Sequence, residues 1–250
     1  MDLKDIQAIV FDMGGTLYDT PREIILMTRF ILDALGLEEY ANLTKKQIED
    51  VSKQVDRMFD QRLVDSNVDP YWLPSFDDSI VYDRVILERL GVEGDLDKMA
   101  SRAHKAWTNA FDSVKPKFLE PCREVLESLH ERGYQLGIAS NRRNDPIPHL
   151  EAANVLHLFD VVEYSCVPGY RKPSPFMLLQ AASKLGINPQ KCAYVGDKVE
   201  HDVGAARRAE FLPILIVWCD KEEAGWASED LLVIDHIDEL LELFPSMHLK

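Results

Sequence analysis

Long apolar runs are missing from this 250-residue chain, and no segment approaches the roughly 20 apolar residues that span a bilayer. The opening stretch MDLKDIQAIVFD carries charges where a secretion signal needs its apolar core, so the chain reads as a cytoplasmic protein. Basic residues are scarce too. Lys and Arg number 28 against 43 Asp and Glu, a formal net charge of -15, whereas affinity for nucleic acid comes mainly from cations that neutralise phosphates. Nucleic acid and anionic membranes are therefore poor partners. An anionic small molecule would meet the same unfavourable field and would need a local cluster of cations, with a bound metal to help. The four cysteines, Cys122, Cys166, Cys192 and Cys219, form no CxxC pair, so they read as small buried hydrophobes rather than a zinc or redox site. The seven histidines make no HExxH, and no GxGxxG follows Gly14-Gly15, so a nicotinamide cofactor is not implied.

What is present is the composition of an ordinary globular protein, with 46% hydrophobic and 28% charged residues. Ile6 to Phe11 is a short apolar run that stops at Asp12-Met13-Gly14-Gly15-Thr16, as a buried strand entering a polar loop does. Thr20-Pro21-Arg22-Glu23 reads as a helix start, with Thr20 as N-cap and Glu23 closing a capping box. Between about 21 and 118 the apolar spacing is mostly helical, as in Ile24, Ile25, Met27, Thr28 and Ile31, then Val81, Val85, Ile86 and Leu90. Breaks at Pro70, Pro74, Gly91 and Gly94 divide it, and Lys115-Pro116-Lys117 reads as its exit linker.

After Pro121 helices and strands alternate. The spacing predicts helices over 121–132, near 148–155, over 174–185, 202–209 and near 236–244, with strands over 134–139, near 160–164, over 192–195, 212–218 and near 231–234. Such alternation predicts a parallel sheet covered by helices on both faces. The fold class is therefore α/β, a doubly wound Rossmann-like parallel sheet with an inserted all-helical domain; the core is 1–18 and 119–250, the insertion 19–118. Ligands of such sheets sit beyond the carboxyl ends of the strands.

That is where the reactive residues fall. Asp12 follows the first strand, Ser140-Asn141 follows Leu136–Ala139, Lys172 follows Val161–Tyr164, and Asp197 follows Ala193–Gly196. Singly, each has an ordinary explanation as a loop acid, a turn or a solvated cation. Together they supply a carboxylate nucleophile, a hydroxyl and amide pair, a cation and a second carboxylate, the parts of a phosphoryl-transfer site.

These segments resemble the four signature motifs of the haloacid dehalogenase (HAD) superfamily. Phe11-Asp12-Met13-Gly14-Gly15-Thr16-Leu17 is similar to its nucleophile loop, Ser140-Asn141 to its second motif, Arg171-Lys172-Pro173 to its third, and Val195-Gly196-Asp197 through Asp202 to its acidic fourth. The helical insertion resembles the family's mobile cap. The resemblance implies a Mg2+-dependent phosphohydrolase acting on a small phosphorylated metabolite through an aspartyl-phosphate. Asp12 would attack phosphorus. The Asp12 side chain, the Gly14 carbonyl and the Asp197 side chain would hold the metal. Ser140, helped by backbone N–H groups near Asn141, would hold phosphoryl oxygens, Lys172 would neutralise charge on nucleophile and phosphate, and Asp202 would either orient Asp197 or a metal-bound water or cap a helix.

The departure is Gly14, where most phosphatases of that family carry a second aspartate that serves as acid and base. Losing such a group typically costs about 100-fold to 10,000-fold. Turnover would be slow, or a substitute would come from the cap, Asp19, Glu200 or His201. A small residue at 14 also resembles the phosphonatase branch, for which Lys45, Lys46 and Lys53 would be the Schiff-base candidates. A non-catalytic binding protein on the same scaffold is the third class. Metal-free dehalogenation fits least, since Asp197 and Asp202 would be superfluous. Arg142-Arg143 could steer anions into the mouth or form a solvated loop. Tyr71, Trp72, Phe76, Trp107 and Phe111 could line a cap pocket or build the insertion's own core. Oligomeric state and physiological substrate are not legible.

Overall fold

The computed structural model of the chain describes residues 3–19, 35–36, 43–114 and 116–247. The helix start expected at Thr20–Glu23 and the series from Ile24 to Ile31 lie outside the described residues, as do the side chains of Lys45, Trp107 and Phe111. The chain divides into two compact units, Met1–Thr20 with Pro116–Lys250, and Pro21–Lys115.

The first unit is built on a six-stranded sheet whose described pairings are all parallel. The strands are β1 (Ala8–Phe11), β2 (Gln135–Asn141), β3 (Val161–Ser165), β4 (Cys192–Gly196), β5 (Leu212–Ile216) and β6 (Leu232–Ile234), in the order β3-β2-β1-β4-β5-β6. All four residues of β1 are buried because side chains alternate between two covered faces. Ile9 and Phe11 pack in a cluster with Cys122, Val125, Leu126 and Leu129 of a helix at Pro121–Glu131, while Ala8 and Val10 join Met177, Leu178 and Ala181 of a helix at Phe176–Leu185. Strand order reverses between β1 and β4, which opens a crevice at their carboxyl ends.

Two local features differ from the expected boundaries. Ser140 and Asn141 are the last residues of β2 rather than a loop after it, because Tyr164 and Ser165 of β3 extend the ladder to them. Asp202 does not open a helix: it sits in a wide π-type turn, Val199–Val203, ahead of the short helix Gly204–Arg208. Such turns recur at functional sites. Cys122, Cys166 and Cys192 are buried and Cys219 partly so.

The second unit contains helices Lys45–Asp65, Phe76–Arg89 and Leu96–Val114, with no strand among its described residues. Thr44 with Gln47 and Ser75 with Asp78 form capping boxes that satisfy the first free amides of two of these helices. Leu35, Leu87, Val92, Ala100 and Ala103 form its buried cluster. Phe76 is 50% exposed and Tyr71 39%, so these two rings are not part of that core. Lys46 and Lys53 are exposed. Among the described residues no helix is long and apolar enough to cross a membrane.

Candidate active site

Asp12 is the first residue past β1, and its amide donates to Val195 O at 2.9 Å, which ties the end of β1 to β4. The loop after it folds back on the Met13 carbonyl, which accepts from Leu17 N and Tyr18 N at 2.8 Å each. Gly15 makes that turn with φ +74, and a Cβ there would lie 2.3 Å from Asp197 Oδ2. Only glycine satisfies both conditions. The indole of Trp218, beyond β5, donates to Gly15 O at 3.0 Å and holds the loop from outside. Gly15→Ala is expected to lose about 1–2 kcal/mol from the backbone alone, and more as Asp197 is displaced. An unchanged urea midpoint would show that the loop can refold around a side chain.

Lys172 is the centre of the cluster. Its Nζ lies 2.8 Å from Asp12 Oδ1 and 2.6 Å from Asp202 Oδ1, and it donates to Tyr194 Oη at 2.7 Å, so each ammonium hydrogen has an acceptor. Burial alone would push this lysine down, but Asp12 and Asp202 outweigh it and hold the ammonium above its ordinary range. Tyr194, which sequence reasoning missed, donates to Ala139 O at 2.6 Å and so fixes the hydroxyl that receives the lysine. Its signal was a lone hydroxyl in the apolar run of β4, one residue before Val195-Gly196-Asp197.

Asn141 reaches the pocket, but its carboxamide is committed to Lys172. Nδ2 donates to Lys172 O at 2.9 Å while Oδ1 accepts from Lys172 N at 2.8 Å, a reciprocal pair that sets the lysine's backbone. Ser140 is buried and its hydroxyl has no hydrogen-bond partner among the described residues. Asp202 is spent on both oxygens: Oδ1 faces Lys172, and Oδ2 accepts from Lys198 N at 2.8 Å. Its contacts hold Lys172 on one side and the backbone of the turn on the other, and it is not the first residue of a helix.

Asp197 is different. It is 4% exposed and its nearest cation is Lys198 Nζ at 3.7 Å, which is itself closer to Asp220 (2.7 Å) and Glu223 (3.2 Å). Burial, then repulsion from Asp12 and Asp202, pushes its carboxyl up to about 7. Oxygens of Asp12, Asp197 and Asp202 lie within 4.8 Å of one another. No hydrogen bond is directed at the Gly14 carbonyl among the described residues. An all-oxygen donor set with excess negative charge fits a hard divalent cation.

These groups line a cavity of about 400 Å³, together with Arg142, Arg143, Asn144 and His201. Of the residues considered as substitutes for an acid or base at 14, only His201 lines it. Glu200 is exposed, and Asp19 exchanges hydrogen bonds with the backbone of Lys117.

The sequence matches the family described as haloacid dehalogenase-like hydrolase over residues 6–210. It is 25% identical over 216 residues to a phosphoglycolate phosphatase of Aquifex aeolicus, with 85% of each chain covered. It is 28% identical over 210 residues to one of Nitrosococcus oceani, covering 84% of this chain and 83% of that one. Among solved structures, a 2-haloacid dehalogenase from Pseudomonas syringae pv. tomato superposes with a TM-score of 0.64 at 19% identity, over 95% of this chain and 97% of that one. This last likeness concerns the fold. A match along most of the chain, with the acidic cluster at the carboxyl ends of the strands, places the protein in the haloacid dehalogenase-like hydrolase family.

Proposed function

We propose that this protein is a Mg2+-dependent phosphohydrolase of small phosphate monoesters, working through an aspartyl-phosphate on Asp12. The observation that carries it is the buried Lys172 clamped between Asp12 and Asp202, beside a third carboxylate, Asp197, whose nearest cation, Lys198 Nζ, is 3.7 Å away. The printed names of the relatives, phosphoglycolate phosphatases, support a small phosphorylated acid as substrate. The helical unit is read as the cap that sets substrate choice.

In this reading an Asp12 carboxylate oxygen attacks phosphorus as the bond to the ester oxygen breaks, and that oxygen leaves with the electron pair and takes a proton from water. Lys172 neutralises charge on nucleophile and phosphoryl group, and the unpartnered Ser140 hydroxyl donates to a phosphoryl oxygen. Water then attacks phosphorus, the bond to Asp12 breaks, and inorganic phosphate is released. The Asp12 and Asp197 side chains with the Gly14 carbonyl would hold the metal, and Asp202 would keep Lys172 in place. Bound there, a divalent cation offsets repulsion between an anionic nucleophile and an anionic substrate.

The test is release of p-nitrophenol from p-nitrophenyl phosphate, whose leaving group needs little protonation and so tolerates glycine at 14. Turnover is expected with Mg2+, to disappear with a chelator and to return on adding the metal back. No turnover of any phosphate monoester in Mg2+ overturns the proposal.

The carboxyl of Asp197 adds a pH dependence. With its folded value near 7, the folded metal-free protein holds a proton that the unfolded chain has released above about pH 4. This group's contribution to stability therefore falls as pH rises from about 4 to about 7, and metal binding must displace the proton. Apparent Mg2+ affinity is expected to rise about tenfold per unit up to pH 7 and then level off, as read by calorimetry. A flat profile would show that Asp197 does not ligate.

A further inference from the structure

The cavity at the strand ends holds a cation that none of these steps uses. Lys172 is paired with Asp12 and Asp202, and Lys198 with Asp220 and Glu223. Arg142, the first residue after β2, is held only by neutral groups. Its Nε donates to Asn144 Oδ1 at 3.3 Å and its Nη1 faces Met13 Sδ at 3.8 Å. Among the described residues no carboxylate lies within ion-pairing distance of it. This partly buried guanidinium lines the acidic cavity and is matched only by an amide oxygen and a thioether. Desolvating a cation costs free energy unless an anion compensates.

The anchors also define what is left over. With Nε and one Nη1 hydrogen engaged, Nη2 has no hydrogen-bond partner among the described residues, and a guanidinium is the group that matches a carboxylate with two parallel hydrogen bonds. Arg142 is near enough to feel the charge of Asp12 but does not contact it, whereas Lys172 touches Asp12 at 2.8 Å. The lysine holds the carboxylate read as the nucleophile, and the arginine is in contact with Asn144 and Met13 instead.

We propose that Arg142 is a specificity residue of the core side of this site, and that its unpaired guanidinium edge binds a carboxylate on the leaving group. The substrate class is then a short phosphate monoester that carries a carboxylate. This inference rests on the phosphohydrolase reading and deepens it.

The experiment compares kcat/KM for 2-phosphoglycolate and for its carboxamide analogue, which differ in that charge, in wild type, Arg142→Gln and Arg142→Lys. Wild type prefers the carboxylate ester, and Arg142→Gln reduces that preference by about 10-fold to 100-fold, mainly through KM, as expected for loss of a charge-assisted hydrogen bond. Arg142→Lys, which keeps the charge but not the fork, keeps an intermediate preference. Equal losses on both esters would mean that the guanidinium serves the phosphoryl group or the fold, and would overturn the assignment. So would a wild type that is active on p-nitrophenyl phosphate but indifferent to the carboxylate. A wild type that turns over no phosphate ester overturns the phosphohydrolase reading itself, and this one with it.

Discussion

Replacing Asp12 with Asn is expected to lower kcat by about a thousandfold or more while leaving the fold at least as stable as wild type in the absence of metal. The loss follows from chemistry, since a neutral amide is no nucleophile toward phosphorus and removal of a nucleophile is among the largest single-residue effects on rate. Retained stability follows from the charges. Asp12, Asp197 and Asp202 meet in one buried cluster in contact with Lys172, and Asp12 is a leading cause, after burial, of the rise at Asp197. An asparagine keeps the shape and an oxygen for Lys172, removes one negative charge, and leaves Asp202 as the lysine's counterion. The check is kcat on p-nitrophenyl phosphate with Mg2+, beside a denaturation midpoint measured in chelator. Wild-type turnover in the variant would remove Asp12 from the mechanism, and a collapse of the midpoint would make its role structural.

Gly14→Asp is expected to raise turnover of esters with poor leaving groups by about 100-fold or more, the usual worth of a positioned acid and base. The structure leaves room for it. A Cβ at Gly14 meets nothing within 4 Å and its φ is not in the left-handed region, in contrast to Gly15 next door. The carbonyl assigned to the metal stays in the backbone and is unaffected. A carboxyl placed beside Asp12 and Asp197 would be raised by their charge toward neutrality, which suits a group that must give a proton and then take one. The gain should be large for an alkyl phosphate and small for p-nitrophenyl phosphate, and the ratio of the two is the measurement. An unchanged ratio would mean that the missing carboxylate does not limit this enzyme.

Much of this was legible before any coordinates. The strand ends at Asp12 and Asp197 were readable because a parallel strand covered on both faces is a continuous apolar run, and a charged residue or a glycine stops it. Division into a helical unit and an alternating unit followed from apolar spacing alone. Strand and helix limits were less secure. Nothing local distinguishes Ser140-Asn141 in a loop from the same pair at the end of a strand, since the hydrogen bonds that decide it come from Tyr164 and Ser165. The turn around Asp202 is similar: its carboxylate accepts from Lys198 N, a contact that replaces an ordinary helix start.

Partners within the site were not legible. That the Asn141 carboxamide is committed to the backbone of Lys172 cannot be read from its position, and Tyr194 reads as one more apolar strand residue until its hydroxyl receives that lysine. Asp19 and Glu200 are as near in sequence to the motifs as His201 is, yet only His201 lines the cavity. By itself the sequence determined that carboxylates, a hydroxyl, an amide and a cation stand at the ends of parallel strands, because hydrophobic periodicity and chain breaks are local properties. Only the tertiary structure decided which two carboxylates pair with Lys172, that the nearest cation to Asp197 stands 3.7 Å away, and that Arg142 is held by neutral groups among the described residues. Those outcomes depend on distances of 2.6–3.8 Å, with Lys172–Asp202 and Arg142–Met13 joining distant parts of the chain, and electrostatic energy at that range changes too steeply for spacing along the chain to encode it.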